Sequence, residues 1–267
     1  MVSPKRTSYA DLAPEANKKV QDFLIGFSLP ARALDLLRRH RELRRYCWWP
    51  VVLNIFVFAL IFWLGATFLN KWMDGMLPAA GEGGLRTAAR GILYVFFLLL
   101  FLIVAYFAFV VIGSLVALPF NDLLSERVER ILGLQSGPGL GFGFQVALVW
   151  QEIVRIAIAG GLFLFGLSLN LIPLLGSVAS LFFNAYVAAW FVAMEFTSFS
   201  LERRGFGLLG KLRVLRSSPR LSLGLGSALG LLLLIPFANL FVLPLGTISG
   251  TLLVGELDRR RERGENP

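Results

Sequence analysis

Two stretches of this chain are free of charged residues and long enough to cross a lipid bilayer as helices. They are residues 47–69 and residues 91–118, and both exceed the roughly 20 apolar residues that span the hydrocarbon core. Charged residues make up only 16% of the chain, against about 25% in a soluble domain. The sequence therefore predicts an all-α integral membrane protein that contains two long transmembrane helices.

Four shorter apolar blocks follow, arranged as two pairs. Residues 156–172 and 178–196 are separated by a break that contains proline, and so are residues 221–235 and 240–254. A helix of about 15–19 residues measures roughly 22–28 Å, which is marginal for a full crossing. We therefore expect two Pro-broken helical hairpins. The sequence leaves open whether they are short spanning pairs or re-entrant segments that stop partway.

The remaining segments are polar or amphipathic. Residues 18–45 and 202–220 mix apolar and basic side chains and are predicted to form amphipathic helices at the membrane interface, with a plain soluble helix as the alternative for the first. Residues 1–17 are predicted to be a disordered tail and residues 257–267 a basic tail. This leaves residues 18–256 as a single helical membrane domain.

The placement of basic residues predicts the orientation. Of the 26 Lys and Arg residues, only Lys71, Arg86 and Arg90 lie between the two long spans. If both hairpins return to the side on which they start, the others share one face, which the positive-inside rule makes cytoplasmic together with both termini. We attribute the net charge of +9 to this face and not to nucleic acid binding. The single cysteine excludes an intrachain disulfide.

A dense set of polar residues follows the second long span, in the stretch LPFNDLLSERVERIL. Pro119 is predicted to end or kink the spanning helix, because its ring nitrogen cannot donate a hydrogen bond. Asn121 or Asp122 can then cap a new helix that lies along the cytoplasmic surface. Glu126 and Arg130 are four residues apart and are predicted to pair on one helix face.

This stretch, with Ala117 before it, resembles the signature of the CysZ-type sulfate permeases, a family that also includes the eukaryotic etoposide-induced membrane proteins. Residues 26–54 resemble the family's entry segment, with a basic pair followed by Pro50 and Asn54, and residues 232–254 resemble its closing hairpin. The family's permease branch carries an Asp-Tyr-Pro and Asn-His element where this chain reads MEFTSFSLERRGFGL. The departure leaves open a more distant member of the family with another task.

The basic pair Arg44 and Arg45 directly precedes the first long span. Guanidinium groups beside the free N–H groups of a helix N-terminus suit a tetrahedral oxyanion. Arginines in this position also anchor a helix at the cytoplasmic face, and the residues alone favour that interpretation. The family resemblance implies instead that Arg44 and Arg45 bind sulfate.

Two further patterns supply candidates. Proline-interrupted helices in paired positions indicate a transport pathway, since freed amides can replace water around an ion, although they also form simple tight turns. The pathway candidates are Asn121, Glu126, Glu129, Asn170, Pro173, Pro236 and Asn239.

Small residues spaced four apart predict close contact between the arms of the last hairpin. These packing candidates are Gly226, Gly230, Gly246 and Gly250. Glu152, Arg155 and Glu195 lie near the ends of apolar blocks, where snorkelling to the interface is the alternative to function.

The sequence contains no zinc-protease, serine-hydrolase or Walker A motif, so catalysis is not expected, and neither is a metal or cofactor. The resemblance implies uptake of sulfate or a related oxyanion across a bacterial inner membrane, through a channel or permease that supplies cysteine biosynthesis. We expect a homo-oligomer whose partners are the oxyanion and the lipid bilayer. The competing hypothesis is a non-transporting membrane scaffold or remodelling protein of the same wider family.

Overall fold

The structure is a computed structural model that describes residues 9–76, 84–134, 137, 142–173, 175–235 and 239–264. Within these ranges the chain forms eight α-helices and one short 3₁₀ helix, and no strand. The helices are α1 (Tyr9–Arg39), α2 (Arg41–Met76), α3 (Gly84–Leu132), α4 (Phe142–Ser168), the 3₁₀ helix (Leu169–Leu171), α5 (Gly176–Arg203), α6 (Leu208–Arg216), α7 (Pro219–Leu233) and α8 (Asn239–Glu262). The predicted all-α class is confirmed.

Four apolar segments of the described residues have the length and composition to cross a membrane: Gly91–Ala108, Trp150–Leu171, Gly176–Arg203 and Phe241–Glu262. Two shorter ones, Ile55–Phe68 and Pro219–Leu233, accompany them. The chain is therefore a multi-pass helical membrane protein.

The two hairpins are unequal in length. Helices α4 and α5 have 27 and 28 residues, about 40 Å each at 1.5 Å per residue. Helix α7 has 15 residues and measures only about 22 Å, while its partner α8 has 24. The first hairpin is thus long enough for a full crossing. Its helices exceed the predicted arms because they continue through charged residues that pair inside the protein.

The chain divides into two compact units, Arg45–Phe120 and the rest. In the smaller unit, α2 contacts α3 where Gly65 lies against the ring of Phe101. The ring centroids of Phe62 and Phe101 are 6.1 Å apart. Most other described apolar side chains here are exposed, such as Ile92 and Phe107. An apolar surface of this extent is suited to lipid.

The core of the larger unit lies where α5, α7 and α8 meet, and α1 packs across α7. Leu221, Leu225 and Leu229 are fully buried and recur every four residues on one face of α7. The backbones of α1 and α7 approach closely, because a Cβ added at Gly26 would overlap the carbonyl of Leu221. Helix α1 therefore differs from a helix that only lies on a membrane surface, since one of its faces contacts protein.

Helix α3 continues through Pro119 to Leu132. The alternative in which Pro119 ends the helix is wrong, and so is the prediction of a new helix starting at Asn121 or Asp122. A proline inside a helix removes one hydrogen bond and costs about 3 kcal/mol or more. Membrane helices tolerate it where neighbouring groups satisfy the backbone. Residues beyond Pro119 are held by the polar contacts described below.

The connection between α5 and α7 is also more folded than a surface helix. Gly205 has a φ of +80° and ends α5, with the N–H of Phe206 donating to the carbonyl of Leu201 at 3.0 Å. At the start of α6, the N–H of Leu208 donates a hydrogen bond of 2.6 Å to Oε1 of Gln151 in α4. Lys211 of α6 is buried, and its ammonium group pairs with a carboxylate of α5.

Close contacts at the predicted packing glycines are present, but they involve a different helix. A Cβ added at Gly226 would overlap the backbone carbonyl of Ala189 in α5, and one at Gly250 would overlap that of Phe196. Gly246 lies against the Phe196 ring. A Cβ at Gly230 would meet no atom within 4 Å in the described part of the chain. At Gly226, Gly246 and Gly250 the closest contact is therefore with α5, and not with the other arm of the hairpin as predicted, although α7 and α8 also contact each other elsewhere.

The first and last helices extend into the segments that were predicted to be tails. Helix α1 begins at Tyr9, inside the segment expected to be disordered, and residues 1–8 lie outside the described residues. Helix α8 continues to Glu262, and Leu257, the first residue of the predicted basic tail, is only 7% exposed. The helix continues because its charged residues find partners in the larger unit, such as Asp22 for Arg260.

Candidate functional site

The predicted anion pair lies within a helix and not in front of one. Helix α2 begins at Arg41, so Arg44 and Arg45 follow its first unpaired N–H groups. Both side chains are exposed, and Arg44 Nη2 donates to the backbone carbonyl of Arg38 at 3.1 Å. In the described part of the chain neither arginine has a carboxylate partner. Their guanidinium groups therefore remain accessible to a solution anion.

The end of α3 presents a polar stripe to the protein interior. Asn121, Ser125 and Glu129 are spaced four residues apart, and all are buried, Glu129 completely. Leu124 and Val128 are buried beside them. Beside this stripe Glu126 pairs with the exposed Arg130, as predicted. The charged stretch therefore has one solvated face and one face that is buried within the larger unit.

Arg203, at the end of α5, binds this stripe at several points. Its Nη1 donates to the backbone carbonyl of Asp122 at 2.8 Å and to the Asp122 carboxylate. Its Nη2 donates to Ser125 Oγ at 2.7 Å and to Glu129 Oε2 at 3.1 Å. A single buried guanidinium thus fixes the last three turns of α3 against α5.

The Glu129 carboxylate has two further partners. Ser200 Oγ donates to its Oε1, and Arg204 Nη2 lies 3.6 Å from the same oxygen. Arg204 also pairs with Asp258 of α8 through Nη1 at 2.6 Å. Buried charges are costly unless they are paired, and Glu129 is paired on both of its oxygens.

Helix α8 contacts the same cluster through hydroxyl groups. Ser125 and Thr251 share a hydrogen bond of 2.8 Å, and Thr251 Oγ1 donates to the carbonyl of Thr247 at 2.9 Å. The cluster therefore joins α3, α5 and α8. Within it Glu129 is held by ion pairs, and Asn121 is buried on the same face of α3. The role of both residues in a transport pathway stays a prediction.

A second ion cluster joins α4 to α5 within the apolar segments. Arg155 Nη2 pairs with both Glu152 and Glu195. The Arg155 side chain is 12% exposed, whereas each carboxylate is about half exposed. All three candidates named from the ends of apolar blocks are thus brought together. Glu195 lies in the segment that departs from the permease branch of the family, and so does Arg203.

At the apex of the first hairpin Asn170 is used to close the turn. Its Nδ2 donates to the carbonyl of Leu167 and to Ser180 Oγ, both at 3.0 Å. Pro173 lies in the exposed turn that follows. At the second apex Pro236 lies outside the described residues. Asn239 is the first residue of α8, with a side chain that is not described.

Sequence reasoning missed the basic half of the buried cluster. Arg203 and Arg204 lie in the predicted amphipathic segment 202–220, directly before Gly205, where arginines commonly reach for the interface. Their partner Glu129 precedes Arg203 by 74 positions, so no local spacing connects them. The available signal was the four-residue recurrence of polar residues on α3, which marks a polar face that requires a partner. Among the described residues no group of three or more His, Cys, Asp or Glu is arranged to hold a metal.

These features define a class: a multi-pass helical membrane protein whose larger unit is joined by buried ion pairs. Comparison with known proteins then gives the family. The model described as "Sulfate transporter CysZ/Etoposide-induced protein 2.4" matches residues 29–244, and the chain belongs to this family. The resemblance inferred from three short segments is confirmed.

Similar bacterial proteins carry the name sulfate transporter CysZ. The one from Pseudomonas syringae pv. tomato is 28% identical over 215 residues, which are 79% of this chain and 84% of that protein. The one from Pectobacterium atrosepticum is 24% identical over 257 residues, or 93% and 88% of the two chains. The one from Vibrio atlanticus is 25% identical over 229 residues, or 79% and 85%.

Proposed function

We propose that this protein carries sulfate, or a related oxyanion, across the inner membrane of a bacterium and thereby supplies sulfur for cysteine biosynthesis. The observation that carries the proposal is the family match over residues 29–244. The relatives named as sulfate transporters also align with most of this chain. Four apolar segments of spanning length supply the membrane domain that such a transporter requires. Because no ATP-binding motif occurs in the sequence, we propose flux along an ion gradient or through a partner, and assembly as a homo-oligomer.

The packing of the amphipathic helices bears on the competing hypothesis of a membrane-remodelling scaffold. A scaffold would use the free apolar faces of α1 and α6. Helix α1 buries Leu29 and Ala33 against other helices of the larger unit, but Val20, Leu24, Phe27 and Leu34 are exposed on it at helical spacing. Helix α6 buries Lys211 and Leu215, whereas Leu209 is exposed. Both helices thus contact protein and also keep exposed apolar side chains, so the scaffold stays the second candidate function.

Transport is tested directly by uptake of labelled sulfate into liposomes that contain the purified protein. We expect accumulation above that of protein-free liposomes, and competition by unlabelled sulfate. Equal accumulation in both preparations would contradict the proposal.

We propose Arg44 and Arg45 as the sulfate-binding pair, supported by their exposure and the lack of a carboxylate partner in the described residues. Each charge-assisted hydrogen bond contributes about 1.5–3 kcal/mol. Replacing both arginines with alanine should therefore weaken sulfate binding by roughly 10²-fold, at about 1.4 kcal/mol per tenfold. Lysine at both positions should restore only part of the affinity, since lysine lacks the bidentate fork. Isothermal titration calorimetry on purified protein measures the change.

The control for this pair is Arg38 and Arg39, which carry the same charge on the preceding helix. Arg39 pairs with Asp35 at 2.9 Å, and both of these side chains are more than half exposed. Exposed pairs contribute little, so this double alanine variant should fold normally. Equal loss of sulfate affinity in both double variants would make Arg44 and Arg45 membrane anchors only.

The proposed orientation places both termini in the cytoplasm, on the side that holds 23 of the 26 Lys and Arg residues. In a Cys47→Ala background, cysteines placed at Gly83 and at Arg216 should react with an impermeant maleimide from opposite sides of intact cells and inverted vesicles. Gly83 lies outside the described residues, and Arg216 is exposed on α6. Reaction of both sites from one side would contradict this orientation.

A further inference from the structure

A cavity of about 290 Å³ lies in the larger unit, at the end where α5 and α8 finish and α7 begins. Its lining comes from the end of α5, from α6, from the start of α7 and from the end of α8. The cavity adjoins the buried cluster through Arg204, which belongs to both. None of the residues named from the sequence as anion or pathway candidates lines it.

The lining carries an excess of positive charge. Four arginines and one carboxylate, Asp258, line the cavity, for a net formal charge of +3. Arg260 is neutralised by Asp22 at 2.7 Å, and Arg204 by Asp258 at 2.6 Å. Arg213 and Arg261 are exposed and have no carboxylate partner in the described residues. Two guanidinium groups at this cavity are thus available to an anion.

Polar atoms at the same place lack hydrogen-bond acceptors. Arg204 Nε is buried and has no hydrogen-bond partner in the described part of the chain, whereas Arg204 Nη2 lies 3.6 Å from the Glu129 carboxylate. Buried donors in native proteins are almost always satisfied by protein, water or a bound group. Ser218 also lines the cavity and precedes the first turn of α7, yet its hydroxyl makes no capping hydrogen bond. A helix start adds partial positive charge to the guanidinium groups.

We propose that this cavity binds a tetrahedral oxyanion group, as free sulfate or phosphate or as the phosphate of an anionic lipid headgroup. Arg213 and Arg261 supply the charge, and Arg204 Nε and the Ser218 hydroxyl supply further donors. The volume far exceeds the share of about 30 Å³ that one water occupies in the liquid, so a partly hydrated anion fits. This second site lies at the arginine-rich end of α5 and α8.

The test isolates the cavity from the proposed pair at the start of α2. Calorimetry is carried out on the full chain with Arg44 and Arg45 both changed to alanine, using sodium sulfate and, separately, inorganic phosphate. We expect this protein still to bind at least one of the two anions. Adding Arg213→Ala and Arg261→Ala should weaken that remaining binding about tenfold or more.

A matched control uses Arg216 and Arg220, exposed arginines of the same region that do not line the cavity. Their double alanine variant, in the same background, should bind within about twofold of the background protein, because exposed charges at a distance are screened by salt. Absence of anion binding in the background protein would overturn the inference. So would an equal loss in the Arg216/Arg220 control.

Ser218→Asp is a variant that should fold like the unchanged protein, because aspartate and serine are about equally good at the residue before a helix. Its carboxylate should repel an anion from the cavity and reduce binding at least as strongly as the double alanine variant. Undiminished anion binding by Ser218→Asp would overturn the inference, even if the arginine variants fail to fold.

Binding measurements in lipid nanodiscs distinguish a free anion from the phosphate of a lipid headgroup. If a lipid headgroup occupies the cavity, phosphatidylglycerol should lower sulfate affinity relative to phosphatidylcholine alone, and the Arg213/Arg261 variant should remove this difference. Equal affinity in the two lipids assigns the cavity to a free anion.

Binding to the cavity is measured without transport, so it is tested independently of the proposed function. Failure of sulfate uptake leaves this inference standing, and loss of the cavity site leaves the uptake proposal intact.

Discussion

Replacing Glu129 with alanine should lower the free energy of unfolding by about 3–5 kcal/mol, the typical cost of removing one partner of a buried ion pair. Glu129 is completely buried, and Arg203, whose side chain is 9% exposed, would lose its buried carboxylate. Ser200 and Arg204 would lose an acceptor on the same group. A thermal-unfolding assay of the detergent-purified protein measures the loss.

The control for this prediction is Glu126→Ala, three positions earlier on the same helix. Glu126 pairs with Arg130, whose side chain is 55% exposed. Such an i,i+4 pair is worth about 0.3–0.5 kcal/mol, so the control should change thermal stability little. If Glu126→Ala and Glu129→Ala destabilise the protein equally, the buried cluster does not hold α3 against α5.

The second large effect is expected from Gly226→Leu, which should prevent recovery of folded protein. A Cβ at Gly226 would overlap the carbonyl oxygen of Ala189, a backbone atom of α5 that cannot rotate away as a side chain can. Overpacking a core costs typically 1–3 kcal/mol, and a clash with backbone separates two helices. Size-exclusion chromatography after detergent extraction measures the yield of monodisperse protein.

Gly230→Leu is the matched control, one helical turn further along α7. A Cβ at Gly230 would meet no described atom within 4 Å, so the leucine should be tolerated. Gly250→Leu should behave like Gly226→Leu, since its Cβ would overlap the backbone of Phe196. Recovery of Gly226→Leu at the same yield as Gly230→Leu would contradict close packing of α7 on α5.

The sequence alone predicted the helical class, the apolar segments and the family. These depend on local properties, because a run of apolar residues specifies a membrane helix without reference to any partner. The Glu126–Arg130 pair was predictable for the same reason, since helical spacing alone brings the two side chains together. Local composition was less reliable for helix length. Charged residues such as Arg155 were read as ends of apolar blocks, whereas helix α4 continues through them.

Only the tertiary structure decided which polar residues are buried and which helices touch. Glu129 and Glu126 have the same chemistry and lie three positions apart, yet one is enclosed by Arg203 and Ser200 and the other faces outward. Glycine spacing predicted close packing but could not name α5 as the partner of α7 and α8. The physical reason is the same in each case. A side chain's burial and partner depend on residues far along the chain, whereas helix formation depends on hydrogen bonds between residues four positions apart.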